Sequence, residues 1–519
     1  MTARQTRPRI AIIGSGFSAL CLGIHLKRAG LDTFTLFEKA ERLGGTWREN
    51  TYPGAACDSP SFAYCFSFEQ KTDWSRKWAG QEEILDYLEH CAGKYGLLPH
   101  IRFGTEIASA RFDDEACLWR LRTTEGEKIE AEILVSGTGQ LNRPWVPPIP
   151  GLEDFAGPRF HSARWRHDVP LAGRRVAVVG NAASAIQFIP QIAPEVEHLY
   201  VLQRSPNWML PKGDREYTPA EHERFRKHPW LARLYRWWIW LSFELRWPAF
   251  KGNRWLSRRV EGMALDAMQA QVKDPQLRKK LVPTYPIGGK RILISDDYYP
   301  ALQRNDVELV TEGIERVLPD GILTRTGRRL AADVLILATG FESTAFLAPM
   351  EIQGLGGRLL HQEWKDGAEA YLGIHVSGFP NFFMMYGPNT NLGHNSIIFM
   401  IECQTRYIMD CIQRMQAQGI RAIDLRREIQ QAYNAQLRRE LARTVWAATD
   451  RSWYKTADGR ITNNWSGSTL RYWWRTRRAD LRRYRQLVPE AMASGSTGRA
   501  GPDPAGSPRT GSGPSAASS

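Results

Sequence analysis

Two glycine-rich turns, and the residues that end the strands after them, define the chemistry that this sequence can support. The first turn reads Gly-Ser-Gly-Phe-Ser-Ala from Gly14 to Ala19. Gly14 permits a tight bend, Gly16 lets the backbone approach a pyrophosphate, and Ala19 takes the place of the third glycine. Glu38 follows Gly14 by 24 residues, where a carboxylate can accept hydrogen bonds from a ribose diol. The first unit therefore predicts a dinucleotide site.

The second turn stands in the same frame but ends in the opposite charge. Residues 180–185 read Gly-Asn-Ala-Ala-Ser-Ala, and Arg204 follows Gly180 by 24 residues, directly after Gln203. A guanidinium can bind a ribose 2′-phosphate through two hydrogen bonds, whereas a carboxylate repels it. We therefore predict FAD in the first unit and NADPH in the second, with Ser205 as a further donor. A solvated surface charge is the alternative interpretation of Arg204.

Buried strands and amphipathic helices are spaced to position both turns. Residues 9–13 and 175–179 are apolar runs typical of strands covered on both faces. Helices predicted over residues 18–29 and 184–192 would offer their N-terminal amides to phosphate groups. Residues 331–337 form one more buried strand. The pattern predicts an α/β protein with two Rossmann-like dinucleotide-binding domains and a helical insertion in the second.

The order of the elements implies that each nucleotide domain is built from two separate stretches of chain. The predicted limits are residues 6–146 and 372–488 for the FAD-binding domain, 158–212 and 284–371 for the NADP-binding domain, 213–283 for the helical insertion, and 489–519 for a disordered tail. The insertion is rich in Trp and Arg. We expect buried helix contacts there, and contact with a membrane surface is the alternative.

Composition excludes several classes of protein. The seven cysteines show neither C-x-x-C pairing nor metal-ligand spacing, which predicts reduced thiols and no metal site. The net charge is +14, but Lys and Arg are spread along the chain, which suits anionic dinucleotides better than nucleic acid. The sequence contains no uncharged apolar run of the roughly 18 residues that span a membrane, and no signal-peptide pattern. We therefore expect a cytoplasmic protein of open oligomeric state.

Two longer motifs accompany the nucleotide turns. Residues 44–58 read GGTWRENTYPGAACD, and residues 155–165 read FAGPRFHSARW. The first matches [AG]-G-x-W-x-x-x-x-[FY]-P-[GM]-x-x-x-D at every fixed position, and the second matches F-x-G-x-x-x-H-x-x-x-W. Both resemble the motifs of type I Baeyer–Villiger monooxygenases, in the flavin-containing monooxygenase superfamily. Arg166 departs from the Pro or Asp that usually follows, and the resemblance covers roughly residues 8–485.

The resemblance implies an enzyme that uses FAD, NADPH and O₂ on a small-molecule ketone. It would insert one oxygen next to the carbonyl to give an ester or lactone, through a C4a-peroxyflavin and a Criegee intermediate. The family's Lys-Arg pair corresponds to Lys290 and Arg291. Arg291 would be the fixed cation beside the reacting oxygen, and Asp58 would hold it, because a carboxylate in an apolar loop needs a cationic partner. A turn-capping Asp58 and a surface Lys-Arg pair are the alternatives.

The turns and the resemblance together assign a set of site residues. The predicted catalytic pair is Arg291 and Asp58, and Asp58 is also assigned to the FAD site. The other FAD-binding residues are Gly14, Gly16, Phe17, Ser18, Ala19, Glu38, Gly45, Thr46, Trp47, Tyr64, Ile107 and Gln140. The NADP-binding residues are Ala56, Cys57, Asn181, Ala182, Ala183, Ser184, Ala185, Ile186, Gln187, Arg204, Ser205, Lys290, Arg291 and Trp453, of which Trp453 would close over the coenzyme.

The remaining assigned residues belong to the second motif. Phe155, Gly157, His161 and Trp165 are assigned to conformational control of the nicotinamide domain rather than to bond making. A packed structural histidine is the alternative for His161.

Two other activities remain open from the sequence. A flavin monooxygenase that oxygenates nitrogen or sulfur would not need the Arg291–Asp58 arrangement, and members of that group resemble the second motif with Tyr in place of Trp165. An NADPH oxidase or electron-transfer flavoprotein would use the same two nucleotide turns without inserting oxygen. The departures at Ala182 and Arg166 leave this third activity in consideration.

Overall fold

Two five-stranded parallel sheets carry the glycine-rich turns in the computed structural model, which describes residues 7–450 and 452–487. The predicted α/β class with two Rossmann-like units and a helical insertion is confirmed. The disordered tail predicted at residues 489–519 lies outside the described residues.

The described residues form the following strands and helices. The strands are β1 (Ile10–Ile13), β2 (Phe34–Phe37), β3 (Ile101–Arg102), β4 (Ile107–Asp113), β5 (Leu118–Thr123), β6 (Lys128–Ala131), β7 (Ile133–Ser136), β8 (Arg159–His161), β9 (Arg175–Val179), β10 (His198–Leu202), β11 (Met209–Leu210), β12 (Leu293–Ile294), β13 (Val307–Val310), β14 (Ile314–Leu318), β15 (Gly321–Thr324), β16 (Arg329–Ala331), β17 (Val334–Leu337), β18 (Glu351–Gln353), β19 (Phe382–Met384), β20 (Ala422–Leu425) and β21 (Tyr484–Leu487). The helices are α1 (Phe17–Arg28), α2 (Thr46–Glu49), α3 (Gln81–Lys94), α4 (Ala185–Ile192), α5 (Pro219–Lys227), α6 (Pro229–Glu244), α7 (Trp247–Phe250), α8 (Arg254–Gln271), α9 (Pro275–Leu281), α10 (Tyr298–Ala301), α11 (Leu360–Glu363), α12 (Ile397–Gln418), α13 (Arg427–Leu441) and α14 (Thr469–Thr476).

The first sheet has the strand order β19-β7-β1-β2-β3. All four residues of β1 are buried, which explains its uninterrupted apolar sequence. Gly14 follows β1 with a φ of +102°, and a Cβ there would lie 2.9 Å from the carbonyl oxygen of Gly137. Only glycine fits this turn. Because β1, β2 and β7 are parallel, the loops that follow them meet at one edge of the sheet, where doubly wound folds bind ligands.

The second sheet has the strand order β13-β10-β9-β17-β8. Gly180 follows β9 with a φ of +113°, and a Cβ there would collide with the carbonyl oxygen of Ala338 at the end of β17. This contact requires glycine at position 180, although Ala182 and Ala185 occupy the other two glycine positions of the motif.

Helices α5 to α9 lie between β11 and β12 and form the predicted helical insertion. The expectation of buried helix contacts holds for only one face of α6: Ala232 and Ile239 are buried, but Trp237 and Trp238 are 63% and 62% exposed. A helix that is apolar on all sides gives no periodic signal for the side that the core covers, so the sequence could not separate the two faces. Within residues 7–450 and 452–487, no helix is long and apolar enough to cross a bilayer.

All seven cysteines are buried free thiols. Burial raises the pKa of the Cys57 thiol above its ordinary value, and the nearby Asp58 carboxylate raises it further. A protonated, buried thiol is a poor nucleophile and a poor metal ligand. Among the described residues, no cluster of His, Cys, Asp or Glu has the arrangement of a metal site.

His375 is a buried histidine whose ring packs between aromatic side chains. Its ring centroid lies 4.2 Å from that of Phe383 and 5.0 Å from that of Tyr484. Neither ring nitrogen has a hydrogen-bond partner among the described residues. Burial lowers the pKa of His375 to about 3. The folded state therefore holds the imidazole in its neutral form.

This burial predicts a pH dependence of stability. An unfolded histidine titrates near pH 6.5, so the contribution of neutral His375 is fully present above that pH and is lost as the pH falls from about 6.5 towards 3, at about 1.4 kcal/mol per pH unit. We expect His375→Leu to flatten the fall of the urea midpoint over this range. Exposed His361 provides the control, because His361→Leu should keep the wild-type slope. Parallel pH profiles for wild type and His375→Leu would contradict the assignment.

Candidate active site

A continuous cavity of ≈ 1780 Å³ joins the two glycine-rich turns. Its wall runs from Gly14 past Asp58 and Arg291 to Gly180 and Arg204. Ordinary small-molecule pockets occupy about 300–1000 Å³. The cavity is therefore large enough for more than one ligand, and it brings together residues that the sequence analysis placed in two separate sites.

The helix after the first turn begins at the cavity with free amides. Gly16 is the N-cap of α1, and no side chain among the described residues caps that end. The first turn also packs closely against the loop that carries Gly45, since a Cβ on Gly45 would lie 3.3 Å from the Cα of Gly16. Uncapped N–H groups and the positive end of the helix dipole suit an anionic pyrophosphate.

Glu38 is held in a fixed position at the end of β2. One carboxylate oxygen accepts a hydrogen bond from Ser15 Oγ at 2.6 Å. The other accepts from the backbone N–H of Ala40 at 3.0 Å and pairs with Arg48 Nη1 at 2.9 Å. Arg48 was not anticipated from the sequence, because it lies inside the 44–58 motif at a variable position. Glu38 also lines the cavity, as its predicted role in binding a ribose requires.

Gln140 gives the clearest sign that a ligand belongs in the first half of the cavity. Its amide nitrogen donates to the backbone oxygen of Tyr386 at 3.0 Å. Its Oε1 atom is buried and has no hydrogen-bond partner among residues 7–450 and 452–487. A buried acceptor without a partner is costly, so a ligand that carries N–H or O–H donors fits here. The isoalloxazine and ribityl groups of FAD carry such donors.

The second half of the cavity holds two cations and a hydroxyl group. Lys290 Nζ donates to Ser205 Oγ at 2.8 Å. Burial lowers the pKa of Lys290, and repulsion from the neighbouring Arg204 guanidinium lowers it further. An anion between these side chains would relieve that repulsion, as a 2′-phosphate does. This group therefore fits NADPH.

Neutral amides occupy the place that a carboxylate would take after β10. Asn181 Nδ2 donates to Gln203 Oε1 at 2.8 Å and to the backbone oxygen of Ser205 at 3.1 Å. Gln203 Nε2 donates in turn to the backbone oxygen of Lys280 at 2.7 Å. These bonds fix the loop that carries Arg204 and Ser205 without adding negative charge near a phosphate.

Arg291 and Asp58 are in contact where the two halves of the cavity meet. Arg291 Nε and Nη2 lie 2.6 Å and 2.5 Å from the same oxygen, Asp58 Oδ2. Both side chains remain about one-third exposed, at 35% and 30%, because they border the cavity. Burial alone would lower the pKa of Arg291, but the Asp58 carboxylate and the phenols of Tyr454 and Tyr386 outweigh it and raise that pKa. The guanidinium is a permanent cation at this point.

A polar network beside Arg291 was not identified from the sequence. Tyr386 lines the cavity, and its hydroxyl donates to Asn391 Oδ1 at 2.7 Å. Asn391 Nδ2 donates to Asn464 Oδ1 at 2.7 Å. These side chains come from two loops far apart in the chain, so no local spacing predicts the network.

Hydrogen bonds join the loop that carries Trp453 to two other loops at the cavity. Trp453 lines the cavity, and its backbone oxygen accepts hydrogen bonds from Ser343 Oγ at 2.7 Å and Asn463 Nδ2 at 2.9 Å. Ser396, which also lines the cavity, caps α12 by accepting from the N–H of Ile398 at 3.3 Å. The cap of α12 therefore lies at the cavity wall.

Most of the predicted nucleotide-binding residues line the cavity. Among the described residues, those assigned to FAD or NADP that do not line it are Ala19, Ala185 and Ile186. All three lie under the glycine-rich turns, in the helices whose ends face the cavity, and all three are buried. Their small or apolar side chains let helix pack on strand.

The residues of the 155–165 motif lie away from the cavity wall, as far as the described residues define it. His161 ends β8, and its Nδ1 atom accepts from the N–H of Ala163 at 3.1 Å. Burial lowers the pKa of His161 to about 4. The Trp165 ring packs 5.2 Å from that of Phe188. These contacts support the second sheet from outside the cavity.

Two further members of this motif region show why their residue types are used. Gly157 has no room for a side chain, because a Cβ would lie 2.9 Å from the Phe155 ring and would collide with the backbone of Asp333. Arg166, which departs from the usual motif, is paired with Asp168 on the surface. The departure therefore lies outside the residues that line the cavity.

Known proteins resemble this chain in sequence and in fold. A family model described as flavin-binding monooxygenase-like matches residues 7–225. A Baeyer–Villiger monooxygenase of Streptomyces coelicolor is 43% identical over 483 residues, which covers 93% of each chain. A structure of an oxidized steroid monooxygenase bound to NADP superposes with a TM-score of 0.82 at 31% identity, covering 95% of this chain and 99% of the other.

A structure of OTEMO in complex with FAD and NADP gives a TM-score of 0.81 at 26% identity, covering 90% of this chain and 97% of that one. The two nucleotide turns, the opposed charges at Glu38 and Arg204, and these similarities lead to one conclusion. The chain belongs to the Baeyer–Villiger monooxygenases and is an FAD-dependent flavin monooxygenase that uses NADPH.

Proposed function

We propose that the chain converts a ketone to an ester or lactone, with the reacting carbonyl placed beside Arg291. The observation that carries this proposal is the Arg291–Asp58 pair, which lies where the cavity halves meet. FAD, when bound, accepts hydride from NADPH and activates O₂. The protein's own residues bind and orient the partners and supply charge.

The FAD site is proposed to consist of the first turn and the walls beside it. The free amides at the start of α1 would bind the pyrophosphate, and Glu38 would accept hydrogen bonds from the adenosine ribose. Gln140 Oε1 would receive a donor from the flavin portion. The 44–58 loop, with Gly45 and Trp47 at the cavity, would form a further wall.

The NADPH site is proposed to consist of the second turn and the Arg204–Lys290 group. The N-terminus of α4 carries no side-chain cap among the described residues, and the amides of Ile186 and Gln187 donate to the backbone oxygens of Ala182 and Ser184. The positive end of the helix would therefore act on the pyrophosphate through the turn that precedes it. Arg204, Lys290 and Ser205 would bind the 2′-phosphate. Trp453 would cover the coenzyme from the loop side.

Arg291 is proposed to stabilise negative charge in the transition state of oxygen insertion. The attacking oxygen and the former carbonyl oxygen both carry negative charge as the new C–O bond forms. A fixed cation, aligned before the reaction, stabilises that charge without reorganising solvent. Asp58 would orient the guanidinium through its shared oxygen and would offset its charge in the resting cavity. The pair thus combines a permanent cation with a fixed orientation.

The residues of the 155–165 motif are proposed to position the NADP-binding unit. His161 and Trp165 support the second sheet from outside the cavity, and neither reaches the cavity wall that the described residues form. A role in domain positioning is compatible with that location.

The ketone reaction is tested by isotope labelling. The FAD-loaded enzyme is supplied with NADPH, ¹⁸O₂ and a panel of ketones together with one thioether, and products are analysed by mass spectrometry. We expect esters or lactones that carry one ¹⁸O atom, with one NADPH oxidised for each product molecule. Sulfoxide as the only product would favour sulfur oxygenation. Hydrogen peroxide as the only product would favour an NADPH oxidase.

A further inference from the structure

Helix α6 presents a continuous stripe of large apolar side chains to solvent. The spacing of these residues places them on one face of the helix. Their exposed fractions range from 49% to 68%, and the members of the stripe are Trp230, Leu234, Trp237, Trp238, Leu241 and Leu245. Arg233 lies in the same stripe and is also exposed. We call these seven residues the α6 stripe.

The opposite face of α6 is already used for packing. Ala232 and Ile239 are buried there. Arg236 donates from Nη1 to the backbone oxygens of Phe62 at 2.9 Å and Cys65 at 2.8 Å. The orientation of the helix is therefore fixed by its inner face. The exposed stripe is a second apolar face that the fold of the described chain does not need.

The size of the stripe is that of an interaction site. Three of its indoles are exposed by 59% to 63%, and at roughly 200 Å² for each side chain they present on the order of 350 Å². The three leucines add to that area. The largest apolar patch on an ordinary monomer is about 300–600 Å² and is often functional.

The charge around the stripe is strongly positive. From residue 229 to residue 260 the chain carries seven Arg or Lys residues and one acidic residue, Glu244. The Glu244 side chain is 12% exposed and accepts hydrogen bonds from the backbone N–H and the Oγ1 atom of Thr469. The Glu244 carboxylate is therefore directed towards Thr469 inside the protein and away from solvent. The protein surface at and around the stripe therefore exposes indoles and positively charged side chains.

Neighbouring surfaces repeat the pairing of indole and guanidinium. Arg259 lies 5.7 Å from the ring centroid of Trp255 on α8. Arg477 lies 3.7 Å from that of Trp474 on α14. Trp255 and Trp474 are both more than 60% exposed. Helix α14 begins beside α6, because Trp240 Nε1 donates to Thr469 Oγ1 at 3.1 Å.

Indoles and basic side chains on one helix face match the chemistry of a bilayer surface. Trp places its apolar ring among lipid headgroups, and Arg and Lys extend towards lipid phosphates. Each basic residue near an anionic surface contributes about 1 kcal/mol of attraction. A second copy of this chain fits less well, because a two-fold interface would set Arg233 and its neighbours against the same cations.

We propose that the α6 stripe docks the enzyme on the surface of a bilayer that contains anionic lipids. The indoles enter the headgroup layer, and the exposed basic residues between 229 and 260, which exclude the inward-facing Arg236, bind the lipid phosphates. The docked helix also adjoins the cavity: Asn395 lines the cavity and donates from Nδ2 to the backbone oxygen of Trp240 at 3.3 Å and to Glu244 Oε2 at 3.1 Å. Docking therefore brings a wall of the active-site cavity close to the membrane surface.

Vesicle sedimentation with the full-length, FAD-loaded enzyme tests this proposal. We expect binding to phosphatidylcholine vesicles that contain phosphatidylglycerol, weak binding to pure phosphatidylcholine, and release by high salt. The double variant Trp237→Ser, Trp238→Ser should bind at least about tenfold more weakly. Leu98→Ser is the matched control, because Leu98 is 49% exposed on another part of the surface, and it should bind like the wild type.

Flavin content and ketone oxidation in solution should be unchanged in the double variant, which separates docking from folding and from the proposed reaction. Wild-type enzyme that stays in solution with anionic vesicles would overturn the proposal. So would equal binding by the wild type and the double variant. If the protein instead forms a dimer that the double variant abolishes, while vesicles bind neither protein, the stripe serves a second copy and the proposal fails.

Discussion

Arg291→Ala is expected to abolish ester formation while FAD remains bound. The proposed FAD contacts lie at the first turn, at Glu38 and at Gln140, none of which depends on the guanidinium of Arg291. Removing one preorganised group that stabilises transition-state charge typically lowers kcat by about 10²–10³-fold. Here the removal also leaves Asp58 without its cationic partner in a partly buried place, which adds to the loss. The measurement is kcat for ester formation, with bound flavin followed by its absorbance.

A matched control distinguishes a catalytic cation from any ion pair at the cavity. Arg143 also lines the cavity, and its Nη2 atom lies 2.9 Å from Glu342 Oε2. We expect Arg143→Ala to retain ester formation within a few-fold, since its pair lies apart from Asp58. Ester formation at the wild-type rate by Arg291→Ala would refute the role proposed for Arg291. Equal losses in both alanine variants would show that the effect is general to cavity arginines.

The sheets and helices could be predicted because their signals are local. The buried strand β1 reads as an unbroken apolar run, and Gly14 and Gly180 mark the two turns where only glycine fits. The charge contrast between Glu38 and Arg204 was readable for the same reason, because the geometry of a βαβ unit fixes the interval. These features need no knowledge of distant contacts.

Contacts between distant segments were harder to predict. Asp58 and Arg291 are 233 residues apart, and only the cost of a lone buried carboxylate and the family resemblance connected them. The Tyr386–Asn391–Asn464 network has no such signal, since amides and phenols occur in many loops. For the Trp-rich insertion the sequence left buried contacts and contact with a membrane surface as alternatives, because the outer side of α6 is as apolar as its inner side, and only the packed structure shows which side is covered.

Arg204→Ala is expected to weaken NADPH strongly and NADH little. A hydrogen bond to a charged group is worth about 1.5–3 kcal/mol, which corresponds to roughly 10- to 100-fold in kcat/KM. NADH has no 2′-phosphate, so the same substitution removes no bond from it. Lys290 remains beside Ser205 in the variant, and loss of the Arg204 charge should also relieve the repulsion that lowers the pKa of Lys290. The measurement is the ratio of kcat/KM for NADPH to that for NADH.

Arg325→Ala controls for the loss of any positive charge at this end of the cavity, because Arg325 lines the cavity and is exposed. We expect its coenzyme ratio to stay close to the wild-type ratio. Equal losses with NADPH and NADH in Arg204→Ala would place Arg204 on a group common to both coenzymes and refute its assignment to the 2′-phosphate. A selective loss would instead show that the charge at the end of β10, with Gln203 and Arg204 where the first unit has Glu38, determines which coenzyme the enzyme accepts.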